Sequence, residues 1–70
     1  MERIYSINVI TADGYSFAVK GELSSEDDAI EAAVTTGLFD SPDDIPCAIA
    51  EDITNSQYDI DGLAGCTYNV

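Results

Sequence analysis

The chain of 70 residues supports one domain with a single small core. Fourteen Asp and Glu stand against two Lys and Arg, with no His, for a net charge of −12. Arg3 and Lys20 cannot neutralise a phosphate track, which excludes direct nucleic-acid binding. A 46% hydrophobic share separates the chain from disordered acidic tails, and no run of about 18 apolar residues spans a membrane.

Residues 4–10 and 15–20 are rich in β-branched and aromatic side chains with near-alternate polarity, which predicts two strands. Ala12-Asp13-Gly14 between them signals a hairpin. A three-residue loop with Gly14 as a left-handed bulge sets Ile7 opposite Val19, Val9 opposite Phe17 and Thr11 opposite Tyr15. That register is preferred over a two-residue loop because it brings apolar residues together on one face. The N-terminus opens into this strand pattern rather than into a secretory signal.

Ser24-Ser25-Glu26-Asp27-Asp28 reads as a helix start with a serine cap and acids in the first turn. Ile30, Ala33 and Val34 recur at helical spacing, and Gly37 is the stop. Asp27, Asp28 and Glu31 point away from that apolar stripe. Ser41-Pro42-Asp43-Asp44 is a second capping signature. Beyond it, Ile45, Ala48, Ile49 and Ile53 fit a helical face, while Cys47, Ile49 and Ile53 fit an alternation broken by Glu51. A weak repeat at a shift of 19 positions matches Ala29-Ile30 with Ala48-Ile49 and Val34-Thr35 with Ile53-Thr54. It favours a second helix over a strand. Residues 57–60 and 66–69 around Gly62 and Gly65 read as a second hairpin. The expected fold is α+β: four antiparallel strands in two hairpins, with two short helices on one face. Its expected core is Ile7, Val9, Phe17, Val19, Ile30, Val34, Ile49 and Ile53.

The chemistry-bearing motifs are sparse. Cys47 and Cys66 belong to no CxxC pair and are expected as reduced, unlinked thiols of a cytoplasmic protein. Without His there is no zinc set and no Ser-His-Asp triad. Asp59-x-Asp61-Gly62 matches the first half of a calcium loop, but position 12 of that loop falls on Val70, so a turn is expected. No acid is singled out as a raised-pKa partner in a carboxylate pair. The expectation is a non-enzyme with no cofactor and no metal.

Charge is the feature left to explain. Eleven of the 14 acids lie between residues 26 and 61. An acidic surface serves solubility, as in proteins of a salty cytoplasm, or it imitates the phosphate charge that basic grooves are built to hold. In size, a pI of about 4.1, the hairpin opening and the acid-loaded helix starts, the chain resembles small phage-encoded anti-CRISPR and anti-restriction proteins. Several of those are DNA mimics that inhibit type I CRISPR surveillance complexes. The resemblance implies a monomeric inhibitor in the host cell cytoplasm. Its partner would be a protein with a basic DNA-binding groove, such as a Cascade subunit. The docking acids it implies are Glu26, Asp27, Asp28, Glu31, Asp43, Asp44, Glu51 and Asp52. The alternative is an antitoxin-like or generic acidic protein-binding module. Hairpin then helix loosely resembles the HicB-type antitoxin opening, though Lys20-Gly21-Glu22 stands where Pro-Gly-Cys is usual.

Overall fold

Alternating β-branched and aromatic residues form β1 (Arg3–Val9) and β2 (Ser16–Gly21), which pair antiparallel in this computed structural model of residues 1–70. The register differs from the expected one. Ile7 lies opposite Phe17 and Tyr5 opposite Val19, and the Val9 N–H donates to the Tyr15 carbonyl at 2.9 Å. The slip is two residues, so every side chain keeps its predicted face. Its cause is non-local: the Ile10 N–H donates to the Cys47 carbonyl at 2.9 Å, which lengthens the loop to residues 10–14. Gly14 is not left-handed, because Gly37 alone has a positive φ. Gly14 is needed for closeness instead, since a Cβ there would sit 2.6 Å from the Val9 carbonyl oxygen.

The helix α1 (Glu26–Thr36) starts and stops where the sequence places it. The Ser25 hydroxyl accepts the Asp28 N–H, and Gly37 at φ 75° donates to the Ala33 and Val34 carbonyls. Its buried face is Ala29 and Ala33. Val34, expected inside, is 44% exposed, and Ile30 is half-buried beside the core. Tyr5, Ile7, Phe17 and Val19 fill this layer from the sheet side, so the helix contributes small methyl groups at the contact.

The second capping signature starts a 3-10 helix, Pro42–Cys47, with the Ser41 hydroxyl accepting the Asp43 N–H. It does not grow into the expected helix. Pro46 has no N–H to donate and biases Ile45 away from helical geometry, and β3 (Ala48–Asp52) follows at once. β3 pairs antiparallel with β1, setting Ala50 opposite Ile7 and Ile49 opposite Asn8. Ile49 therefore points away from α1 and is 59% exposed. The 19-position repeat aligns a helix with a strand and has no structural counterpart.

The expected second hairpin is also corrected. Residues Gln57–Gly62 form α2, and a 3-10 turn at Ala64–Cys66 leads into β4 (Thr67–Asn69), which pairs parallel with β2. The fold is α+β, with a mixed rather than purely antiparallel sheet in the order β3-β1-β2-β4. Both β2-α1-β3 and β3-α2-β4 join parallel strands, and they cross the sheet in opposite directions. Right-handed crossovers running opposite ways put their helices on opposite faces. Accordingly α1 packs on the face of Tyr5 and Ile7, while α2 borders the face of Ser6 and Asn8. The helices do not share a face.

The core under α1 joins Tyr5, Ile7, Phe17, Val19, Leu23 and Ala50 to the two helix alanines. Phe17 meets Phe39 and Tyr68 edge-on. Val9 and Ile53 are buried as expected. No helix is long and apolar enough to cross a membrane.

Candidate functional site

Every cation is already committed. Arg3 Nη1 lies 2.8 Å from Asp52 Oδ2, Lys20 Nζ lies 3.6 Å from Glu2 Oε1, and the N-terminal ammonium lies 2.6 Å from Glu22 Oε2. The other eleven of the fourteen acids have no cationic partner. The eight acids expected to act as one surface fall into three separate places.

Glu26, Asp27, Asp28 and Glu31 lie on the first turns of α1. Asp28 is tied inward: its carboxylate accepts both the Ser24 hydroxyl and, at 3.1 Å, the Ser24 N–H. Those bonds, the hydroxyl's first, hold its pKa below the usual aspartate value. Glu26, Asp27 and Glu31 are exposed, and no ion pair or hydrogen bond engages their carboxylates. This is the most open of the three groups.

Asp43 and Asp44 lie at the start of the 3-10 helix, beside the β1–β2 loop. The Tyr15 hydroxyl donates to Asp44 Oδ2 at 2.8 Å and accepts the Asp40 N–H at 2.9 Å. Loss of water around the phenol raises the Tyr15 pKa, the bond to Asp44 adds to the rise, and the Asp40 N–H opposes it. Asp13 and Asp40 border the same hollow. The spacing of residues 13 and 40 along the chain gave no sign of that meeting.

Glu51 and Asp52 are neighbours on β3 and so face opposite sides of the sheet. Asp52 accepts the Thr54 hydroxyl at 2.6 Å and the Thr54 N–H at 2.9 Å in addition to its ion pair with Arg3. The Thr54 hydroxyl leads the causes that depress its pKa, with Arg3 adding to them. Glu51 lies on the face bordered by α2, where a concavity of about 610 Å³ also takes in Asp59, Asp61 and Tyr58. Asp59 and Asp61 are helical rather than in a turn. Their carboxylates accept the Ser56 hydroxyl at 2.7 Å and the Gln57 amide at 2.8 Å. That i, i+3 and i, i+4 pairing was the available helix signal.

Cys47 is half-buried, Cys66 is exposed, and both are free thiols. No three side chains of His, Cys, Asp or Glu converge as a metal-binding group. No protein-family model, curated protein or solved structure matches the chain. Geometry and charge carry the functional reading from here.

Proposed function

We propose that the chain is an inhibitor protein whose carboxylate surface occupies a basic nucleic-acid-binding groove on a partner protein, that of a type I CRISPR–Cas surveillance complex. The observation that carries this reading is the density of unpaired charge. The molecule measures 30 × 21 × 16 Å and bears eleven carboxylates without a cationic partner. A duplex of the same 30 Å length carries roughly 18 phosphates at ~1.7 Å per charge. The two densities are of one order, so a groove that attracts the duplex attracts this surface.

Glu26, Asp27 and Glu31 form the leading edge of the docking surface, with Asp43 as an outlying charge, while Glu51 lies on the opposite face of the sheet and stays outside it. Asp28, Asp44 and Asp52 act chiefly within the fold, through Ser24, Tyr15 and Arg3. In this reading the protein is a monomeric non-enzyme that needs no cofactor and works in the cytoplasm of a host cell. The resemblance in size and charge to anti-CRISPR proteins supplies the partner class, a Cascade subunit that reads DNA.

Competition binding tests it. Pre-incubation with the protein should block target-DNA binding by the surveillance complex and leave guide RNA in place. Association should slow as salt rises, because exposed charges are screened beyond ~8 Å at physiological ionic strength. Normal DNA binding with the protein bound to the complex would refute mimicry. Retention of no nucleic-acid-binding protein would leave solubility as the role of the charge.

A further inference from the structure

The order β3-β1-β2-β4 leaves one side of β3 with no strand beside it. The Ile10 N–H donates to the Cys47 carbonyl and the Ile53 N–H to the Ile4 carbonyl, each at 2.9 Å. In an antiparallel pair such bonded positions alternate with unbonded ones. The register therefore turns the N–H and C=O groups of Ile49 and Glu51 toward β1, opposite Asn8 and Ser6. Those of Ala50 and Asp52 point outward without a partner in the chain. The Ala48 carbonyl joins them, while its N–H is taken by the Ile45 carbonyl. Proteins close such an edge with a proline, a lysine or a bulge, and Ala48-Ile49-Ala50-Glu51-Asp52 holds none of these. Beside the free edge Ile49 is 59% exposed, and Glu51 lies two residues along on the same face. β4, the other outer strand, is shorter and carries no such pair.

We propose that the free edge of β3 takes up an extended segment of a partner protein as an added antiparallel strand, with a basic residue opposite Glu51 and an apolar one opposite Ile49. Main-chain bonds to Ala50 and Asp52 supply the attachment, and the alternate side chains supply the choice of partner. The antiparallel direction is the slightly more stable per residue. A strand centred on Ala50 exchanges both of its bonds there and leaves Ile49 and Glu51 at unbonded positions. Facing Cα atoms come to ~4.5 Å at such positions, so their side chains meet most closely. Glu51 has no cationic partner in the chain, whereas Asp52 is already held by Arg3. A lysine or arginine opposite Glu51 therefore meets an unanswered charge. A second copy fits the edge poorly. It brings another −12 alongside the first, and a two-fold pairing about Ala50 sets each Glu51 against an isoleucine rather than a cation. The inference goes beyond the inhibitor reading and needs neither a nucleic-acid-binding groove nor the α1 acids.

The experiment is an NMR titration of the ¹⁵N-labelled full chain with the capped peptide Thr-Lys-Thr-Val-Thr. Its comparators are Thr-Gln-Thr-Val-Thr and the lysine peptide N-methylated at its central threonine. The expected result is saturable shifts centred on Ala50 and Asp52, with slowed hydrogen exchange at those two amides. The central threonine N–H is the donor to the Ala50 carbonyl, so N-methylation should abolish binding. The glutamine peptide should bind about 2–5-fold more weakly than the lysine one, the size of a cross-strand charge pair. In Glu51→Gln the two peptides should bind equally; the side chain is exposed, and unchanged spectra elsewhere would certify the fold of that variant. Undiminished binding of the N-methylated peptide would overturn the proposal, as would equal binding of the lysine and glutamine peptides by the natural chain, or no saturable change. A chain that sediments as a dimer with Ala50 and Asp52 already protected would overturn it in favour of a second copy. If the lysine peptide fails while the surveillance complex is still blocked, this inference falls and the inhibitor reading stands. If the peptide binds and no complex is blocked, the reverse holds.

Discussion

The Tyr15 hydroxyl donates to the Asp44 carboxylate across 29 positions of sequence, at 2.8 Å. With the Asp40 N–H donating to the same hydroxyl, it fastens the β1–β2 loop to the 3-10 helix. The phenol is a donor to Asp44 only while protonated; loss of water around it leads the causes that raise its pKa, and the bond to Asp44 adds to them. The folded state holds this proton more tightly than the unfolded chain does. The contribution is therefore complete below the unfolded value of about 10 and is lost as pH rises through the folded pKa. Ultraviolet titration should show a tyrosine step above the unfolded value of about 10 that belongs to Tyr15. Tyr15→Phe should remove that late step and lower the melting temperature at pH 7.

Asp28 and Asp52 give the opposite dependence. Their carboxylates are stabilised by Ser24 and by Thr54 with Arg3, so their folded pKa values lie below the unfolded aspartate value of about 3.9. Their stabilisation is complete above that value and is lost as pH falls through the folded pKa. NMR-detected titration should find these two carboxylates still ionised below the unfolded aspartate value of about 3.9. Asp28→Asn or Asp52→Asn should flatten the stability profile in that acid window and leave its alkaline limb unchanged.

The helix face can be checked by three core substitutions measured by denaturant unfolding. Ile7→Ala should cost about 2–5 kcal/mol, because Ile7 is fully buried at the centre of the sheet. Ala33→Leu should cost about 1–3 kcal/mol by overpacking the contact between α1 and the sheet. Val34→Ala should change stability by no more than about 0.5 kcal/mol, as at other open surface positions. A large loss at Val34 would mean that α1 is rotated.

Two glycines should behave oppositely when replaced by alanine. Gly14→Ala forces a Cβ against the Val9 carbonyl and should destabilise the loop. Gly62 ends α2 without a positive φ, and a Cβ there meets nothing within 4 Å. Gly62→Ala should therefore stabilise by about 0.4–1 kcal/mol through the unfolded chain's lost freedom. Thermal melts of both variants decide the pair.

These contrasts also locate where sequence reading succeeds. The inward face of Ile7, Val9, Phe17 and Val19 was legible because alternation is local and survives a two-residue slip of register. The Ser25 and Gly37 caps were legible for the same reason, since both act on adjacent backbone. The register itself depends on Ile10 bonding to Cys47, a partner 37 positions away that alternation does not encode. Residues 48–52 fit a helical face and only a broken alternation, and pairing with β1 makes them a strand with Ala50 rather than Ile49 inward. The parallel placement of β4 depends on α2 crossing the sheet, which short flanking glycines disguise as a hairpin. The acids were counted correctly but not placed. Glu51 and Asp52 look like one cluster in sequence, and the strand sends them to opposite faces.

That placement gives the inhibitor reading its sharpest test. Glu26→Gln, Asp27→Asn and Glu31→Gln together remove three unengaged charges from one end of α1. Asp28→Asn removes a charge from the same end, but one already satisfied by Ser24. If long-range attraction to a basic groove drives inhibition, the triple variant should associate more slowly, and the gap from the natural chain should close as salt rises. Each single change should do much less, because the charge is shared over several contacts. Folding should oppose the loss only slightly. Relief of repulsion among the acids raises stability, while loss of Glu26 and Asp27 from the first turn, at the positive end of the helix dipole, lowers it by a few tenths to about 1 kcal/mol each. The two effects are of opposite sign, so melting temperature should move little while inhibition falls. Binding kinetics against the surveillance complex, run on folded triple variant and on Asp28→Asn, separate the outcomes. Equal association rates for the natural chain and the triple variant would remove α1 from the docking surface.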